Sequence, residues 1–323
     1  MQDQTLISAI RFDGRGAGTD CAEDEIARWT PDQGVLWLHF NYGQPRIHEW
    51  LEGRCGLDPV VVEALIAEDA RPRSFTDGDR LFVVLRGLNL NPGAELLDMV
   101  SVRAWIEPGR IITVRQRKVM AVEDVRQALY GGTGPRDAGT FLVQLCGRLT
   151  QRIAMAVSQV EEQEDAAEDL VVQEGSRRLR PVLSDLRRRL INLRRYLAPQ
   201  RQVISQFQSD QLSWLGAEHK SRLREIADRV TRYVEDLDAA RERAAVAQDE
   251  LESRLAEQLN RNMYVLSVVA AIFLPLSLLT GLLGINVLGI PGADNPYGFY
   301  VVCGCLAVIA AAQIWFFRRT HLM

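Results

Sequence analysis

Apolar positions change their spacing three times along this chain. Up to about residue 135 they fall in short runs, at 6–12, 35–41, 80–90, 100–106 and 110–115, bounded by Gly, Pro, Asp and Asn. Such runs predict strands. Between them, 46–52, 58–67 and 119–129 carry helical spacing, and Gly131-Gly132-Thr133-Gly134-Pro135 breaks the chain. This predicts an α/β domain over 1–135.

Long, charged, helical sequence follows. Residues 140–172 end in an acidic stretch with Glu161, Glu162, Glu164, Asp165, Glu168 and Asp169; Gly175 interrupts; 176–209 carries nine arginines, from Arg177 to Arg201. Two antiparallel helices joined near Gly175 set the acidic arm beside the basic one, a pairing of exposed charges worth about 0–1 kcal/mol per pair. From His219 onward no Pro or Gly occurs until Pro275, and Val230, Val234, Leu237 and Ala240 form a helical stripe. The expectation is one helix of roughly 100 Å, which needs partner helices or copies of itself to cover its stripe. Long helices thus occupy 136–262.

The last sixty residues are apolar. No charge lies between Arg261 and Asp294, or between Asp294 and Arg318. A bilayer core about 30 Å thick needs roughly 20 apolar residues per spanning helix, and 263–284 and 299–317 meet that length, joined by an outer loop over 285–298. Arg261 before the first span and Arg318 and Arg319 after the second put both termini and the large domain in the cytoplasm by the positive-inside rule. Tyr297, Tyr300 and Trp315 fit interfacial anchors. Residues 1–4 open no signal peptide, so targeting falls to the hairpin.

Composition changes the picture little. A net charge of −4 gives no reason to expect nucleic acid, and of 38 basic residues only Lys118 and Lys220 are lysine, so arginine at any one site says little. The cysteines are scattered. Cys303 and Cys305, two apart on a helix, point to different sides. Neither a nucleophile–base set nor a phosphate loop is evident, so an enzyme is not expected.

The first span carries the candidate chemistry. Asn260, Met263, Ser267, Ala270, Leu274, Ser277, Gly281 and Asn286 recur at near-helical spacing, a face mixing small, polar and apolar side chains. Helix packing in lipid and pore lining explain such a face equally well. Gly284-Ile285-Asn286 tilts the balance: an amide and backbone carbonyls at a pore mouth hydrogen-bond the water of a cation without trapping it.

Leu274-Pro275-Leu276-Ser277, Thr280-Gly281 and Gly284-Ile285-Asn286 resemble the signature of the CorA superfamily of divalent-cation channels, whose hallmark is Gly-Met-Asn at the end of the first of two C-terminal spans. Ile285 replaces the Met, and with the loop Val287-Leu288-Gly289-Ile290-Pro291-Gly292 this is similar to the ZntB-type zinc-transporter branch. The runs at 71–73, 85–94, 98–103 and 194–201 look like the same branch, so the resemblance covers nearly the whole chain. It implies an α+β cytoplasmic domain, long helices and a two-helix transmembrane hairpin in a homopentameric funnel in the inner membrane. Gly284, Ile285 and Asn286 would be the selectivity motif, Asn260 and Met263 would line the cytoplasmic end and Leu274 would form a constriction. Fivefold symmetry would make Asp294 an acidic ring that concentrates cations at the outer mouth. The partners implied are zinc or another divalent cation, lipid and further copies of the chain, with no cofactor beyond the transported ion.

Two tensions accompany this reading. A bare zinc ion wants Cys, His or carboxylate ligands, and the pore face has none; His39, His48, His219 and His321 all lie outside the spans. Zinc is therefore expected to pass largely hydrated. Neither span holds an ionisable group of the kind proton relays use, so proton linkage would rest on Asp294, Glu252 or Glu257. The alternatives are a magnesium or cobalt channel of the same fold, and a membrane-anchored coiled-coil sensor or scaffold.

Overall fold

A computed structural model describes residues 5–68, 71–94, 98–285 and 296–319. The chain forms two compact units, one of residues 1–174 with 178–248 and one of 175–177 with 249–323.

The first unit is built on a seven-stranded sheet of order β2-β1-β3-β7-β6-β5-β4. Its strands are β1 (Leu6–Phe12), β2 (Gly18–Asp20), β3 (Leu36–Asn41), β4 (Arg73–Asp77), β5 (Arg80–Leu88), β6 (Met99–Ile106) and β7 (Arg110–Arg115). All neighbours are antiparallel except β3 and β7, paired in parallel from Leu36↔Arg110 to Asn41↔Arg115. Both faces are covered, so the central strands are apolar at nearly every position. One face carries Trp37, Leu81, Val83, Leu85 and Ile111 toward α3 (Met120–Tyr130), α4 (Ala138–Glu174), α5 (Leu179–Gln206) and the early part of α6 (Ala217–Leu283). The other carries Leu36, Leu38, Phe40, Phe82 and Trp105 toward a π-helical turn at Glu49–Arg54 and α2 (Pro59–Ile66). A short α1 (Glu23–Arg28) has no buried residue.

The Gly131–Pro135 break is a tight turn, with Gly132 at φ 74°. Helices on both sides of it share one apolar cluster: Val125 and Leu129 from α3 join Phe141 and Leu145 from α4, Val203 and Ile204 from α5, and Leu223, Ile226 and Val230 from α6. The sheet therefore needs the long helices to complete its core. Close packing makes some glycines obligatory. A Cβ on Gly139 would sit 2.3 Å from His219 Nδ1 and 2.8 Å from the Trp214 carbonyl.

The charged arms lie side by side, and two of their ion pairs reach a third helix. α4 and α5 are neighbours, and Gly175 between them adopts φ 53°. Glu164 pairs with Arg243 at 2.7 Å and Arg194 pairs with Asp238, so these two ion pairs end on α6. A third helix offering charges of both signs competes for each arm, which the two-helix reading left out.

The second unit holds the end of α6, from Asp249 to Leu283, and α7 (Gly298–Arg319). Each contains a window apolar and long enough to cross a membrane. Pro275 lies within α6 without ending it.

Candidate functional site: the apolar hairpin

Coverage by the chain itself orients the first span. Val268 is buried, and Ile272, Leu276 and Leu279 are partly covered. On α7 the partly covered positions are Gly298, Val302, Leu306, Ile309, Ala310, Gln313 and Phe317. Ala271 lines a pocket with Ile309, Ala312, Gln313 and Phe317, which marks this side as the seam between the spans. Asn260, Met263, Ser267, Ala270, Leu274, Ser277 and Gly281 are all exposed. At about 100° per residue their mean direction lies about 165° from that of the seam positions. The predicted face thus looks away from α7.

That face mixes apolar, small and polar groups. Ser267 Oγ donates to the Met263 carbonyl at 2.8 Å, which occupies its proton and leaves lone pairs facing outward. Thr280 Oγ1 donates to the Leu276 and Ser277 carbonyls at 3.0 and 3.1 Å. The helix closes where Gly284 N–H reaches the Thr280 carbonyl at 2.9 Å and the Gly281 carbonyl at 3.2 Å. Ile285 follows, half exposed. Asn286 and Asp294, the third motif residue and the expected acidic ring, lie outside the described residues, as does His321. Tyr297 just before α7 and Tyr300 and Trp315 on it are all exposed, and the Arg319 guanidinium lies 5.2 Å from the Trp315 ring centre, as interfacial anchors do.

Metal ligands are not gathered elsewhere among the described residues: no three His, Cys, Asp or Glu side chains stand close enough to hold an ion. His39 is buried in the sheet with both nitrogens engaged, Nδ1 on Thr113 Oγ1 at 2.7 Å and Nε2 accepting from Arg115 Nε at 3.0 Å. His48 sits 3.1 Å from Glu52 and His219 3.6 Å from Asp137. Burial pushes the Cys55 and Cys146 thiols up to about 11 and about 12, so they stay protonated at neutral pH, whereas the thiolate is the metal ligand. Burial also raises Glu164, against the pull of Arg243.

One polar residue of the hairpin went unread in the sequence. Gln313 faces the seam, and its Oε1 is buried with no hydrogen-bond partner. It is an amide between apolar neighbours on a span, and that was the available signal.

A mixed α/β unit, long helices and a terminal pair of apolar helices define a protein of the CorA type. The chain belongs to that family: the family model described as "CorA-like Mg2+ transporter protein" matches residues 32–319. The divalent cation transporter CmaX of Pseudomonas aeruginosa is 41% identical over 323 residues, covering 98% of this chain and 96% of its own. The zinc transport protein ZntB of Yersinia pseudotuberculosis is 36% identical over 321 residues, covering 99% and 97%. Among solved structures, full-length CmaX matches with a TM-score of 0.85 at 40% identity, covering 99% of this chain and 98% of its own. The CorA magnesium transporter of Methanocaldococcus jannaschii matches with 0.82 at 18% identity, covering 98% and 99%, a likeness of fold alone.

Proposed function

We propose that this chain carries divalent cations, zinc foremost, across the inner membrane through a homopentameric pore, with both termini in the cytoplasm. The observation that carries the reading is the position of the Asn260–Gly281 face, about 165° away from the seam with α7. A face turned from its own partner span and carrying Asn260, Ser267 and Ser277 among small and apolar residues suits an axis shared with other copies, with the α7 helices as an outer ring. Gly284, Ile285 and Asn286 form the outer mouth, Leu274 the constriction, and Asn260 and Met263 the cytoplasmic end. The absence of charged ligands on this face favours a hydrated ion over a stripped one, and the transported ion is the only metal the reading requires. Relatives named zinc transport protein ZntB support zinc within the divalent class. The family description favours magnesium as the second reading.

Purified protein in liposomes, followed for zinc and magnesium entry with and without a pH gradient, tests this. Zinc entry exceeding magnesium entry and lost in Asn286→Ala is expected. Voltage-driven magnesium entry indifferent to pH replaces zinc by the second reading, and full tolerance of Asn286→Ala makes the hairpin a mere anchor. If the outer acidic ring links protons to transport, Asp294→Asn abolishes the pH dependence; unchanged dependence moves the link to Glu252 and Glu257.

A further inference from the structure

The frame of the candidate pore face does not begin at the membrane. Asn260, Ser267, Leu274 and Gly281 stand seven residues apart, as do Met263, Ala270, Ser277 and Gly284. Counted back by sevens, the first series passes through Ser253, Val246, Ala239, Arg232 and Glu225. The second passes through Ala256, Asp249, Glu242, Glu235 and Asp228. All these earlier positions are exposed, and between Arg229 and Ala240 only Arg232, Glu235 and Ala239 are. The packed side of α6 keeps the same period, with Leu223, Val230, Leu237, Ala244 and Leu251 all buried. A straight helix drifts by about 20° per heptad, so a strict repeat held this long belongs to a helix wound with its neighbours.

The second series is acidic at its four earliest positions. Asp228, Glu235, Glu242 and Asp249 follow one another at about 10 Å along α6; Glu225 and Arg232 are the charges of the first series there. Residues off the frame find partners: Asp238 pairs with Arg194, Arg243 with Glu164 and Arg254 with Glu250. Among the described residues none of the four acids is in an ion pair. In a closed coiled coil such positions are apolar and press on the facing helices. Carboxylate layers pressed together there would repel and lose their water. From Ser253 to Gly284 the frame is uncharged, so copies of α6 can close on it there and must stand apart around water before it.

We infer that Asp228, Glu235, Glu242 and Asp249 face the shared axis as stacked carboxylate layers, and that their field gathers divalent cations at the cytoplasmic approach to the pore. The inference rests on the pore reading above and adds to it the residues that supply the ion. The layers act as a field on a hydrated ion and not as fixed ligands; among the described residues no three ligating side chains gather in one chain. Distance sets their range. Asp249 lies eleven residues before Asn260 and Glu242 eighteen, about 16 and 27 Å along the helix. The screening length is about 30 Å in 10 mM salt and about 8 Å in 150 mM. Both layers therefore reach the cytoplasmic end of the pore in dilute salt, and neither does in 150 mM.

Zinc entry into everted membrane vesicles, which present the cytoplasmic side outward, tests this with the full-length protein. Glu242→Gln with Asp249→Asn should slow entry at least about threefold in about 10 mM salt, and the difference should vanish in about 150 mM. Glu162→Gln with Asp169→Asn, which removes two exposed acids of α4 off the frame, should enter at the wild-type rate in both. Equal rates for wild type and the Glu242/Asp249 variant in dilute salt overturn the inference and leave the pore reading standing. So does a loss that persists in 150 mM salt, or an equal loss from the α4 pair. A wild type that admits no divalent cation overturns the pore reading, and a second arm then judges the layers separately. In a chain with Cys21, Cys303 and Cys305 replaced by serine, Val246→Cys on the frame is compared with Val60→Cys, exposed on α2. The ratio of labelling rates by cationic and anionic thiol reagents should be at least about tenfold higher at position 246 in dilute salt. Equal ratios at the two positions overturn the carboxylate layers whether or not the protein transports.

Discussion

His39 should remain neutral well into the acid range, and this makes the first unit sensitive to acidification. Its ring is almost wholly buried. Arg115 Nε donates to Nε2, so the proton sits on Nδ1 and is given to Thr113 Oγ1, which also receives the Trp37 indole N–H at 2.8 Å. Burial, then the Arg115 and Arg126 charges, depress His39 from 6.5 to about 3. The sign follows directly. Below pH 6.5 the unfolded chain takes up a proton that the folded one refuses, so stability is fully present above 6.5 and declines as pH falls toward 3, by about 1.4 kcal/mol per pH unit. Between pH 7 and 5.5 the loss is about 1 kcal/mol, and down to pH 3 it is on the order of 5 kcal/mol. With four histidines in the chain, a histidine-selective 13C label gives few resonances to assign. The His39 signal should show a fixed neutral tautomer from pH 7.5 to 5. Urea unfolding of wild type and His39→Gln should differ in pH dependence by close to one proton. A His39 resonance titrating between pH 5 and 7, or equal pH slopes for the two proteins, would refute the reasoning.

Three further outcomes are expected. Gly139→Ala should cost about 1–3 kcal/mol, read as a lower thermal midpoint, because the added methyl meets the His219 ring and the Trp214 carbonyl. Arg103→Lys should cost a similar 1–3 kcal/mol: the guanidinium bonds the Leu65 and Ala67 carbonyls and covers the Tyr42 ring, which one ammonium cannot reproduce, and urea unfolding gives the figure. Leu274→Ser on the outward face should raise cation leak in liposomes with little effect on thermal stability, whereas Leu276→Ser on the seam should lower stability; equal effects of the two would show that the faces are not distinct.

The spans and the central strands were legible because their physics is local. A bilayer demands length without charge, and β1 and β7 begin and end at the residues their apolar runs predict. The edge strands β2 and β4 escaped because Gly18–Asp20 has no apolar side chain and Arg73–Asp77 is mostly exposed, so neither shows a buried face to read. Helix α1 escaped for the same reason. The ion pairs from the arms to α6 were not legible because Glu164 and Arg243 are far apart in sequence, and their meeting depends on where a third helix packs. The hairpin behaves likewise: spacing finds the face of the first span, but its turn away from α7 appears only with both helices in place.

The apolar cluster of the first unit bears on the order of events during synthesis. The strands come early, yet their covering face is closed by Leu223, Ile226 and Val230 of α6, so the sheet stays half open until late. Met263, the start of the first apolar span, follows soon after Val230. At about 5–20 residues per second, roughly 2–7 s separate completion of the core from emergence of the span. The ribosome thus hands over a finished domain and the start of the first apolar span almost together. Any delay in closing the sheet then falls on a chain already committed to the membrane.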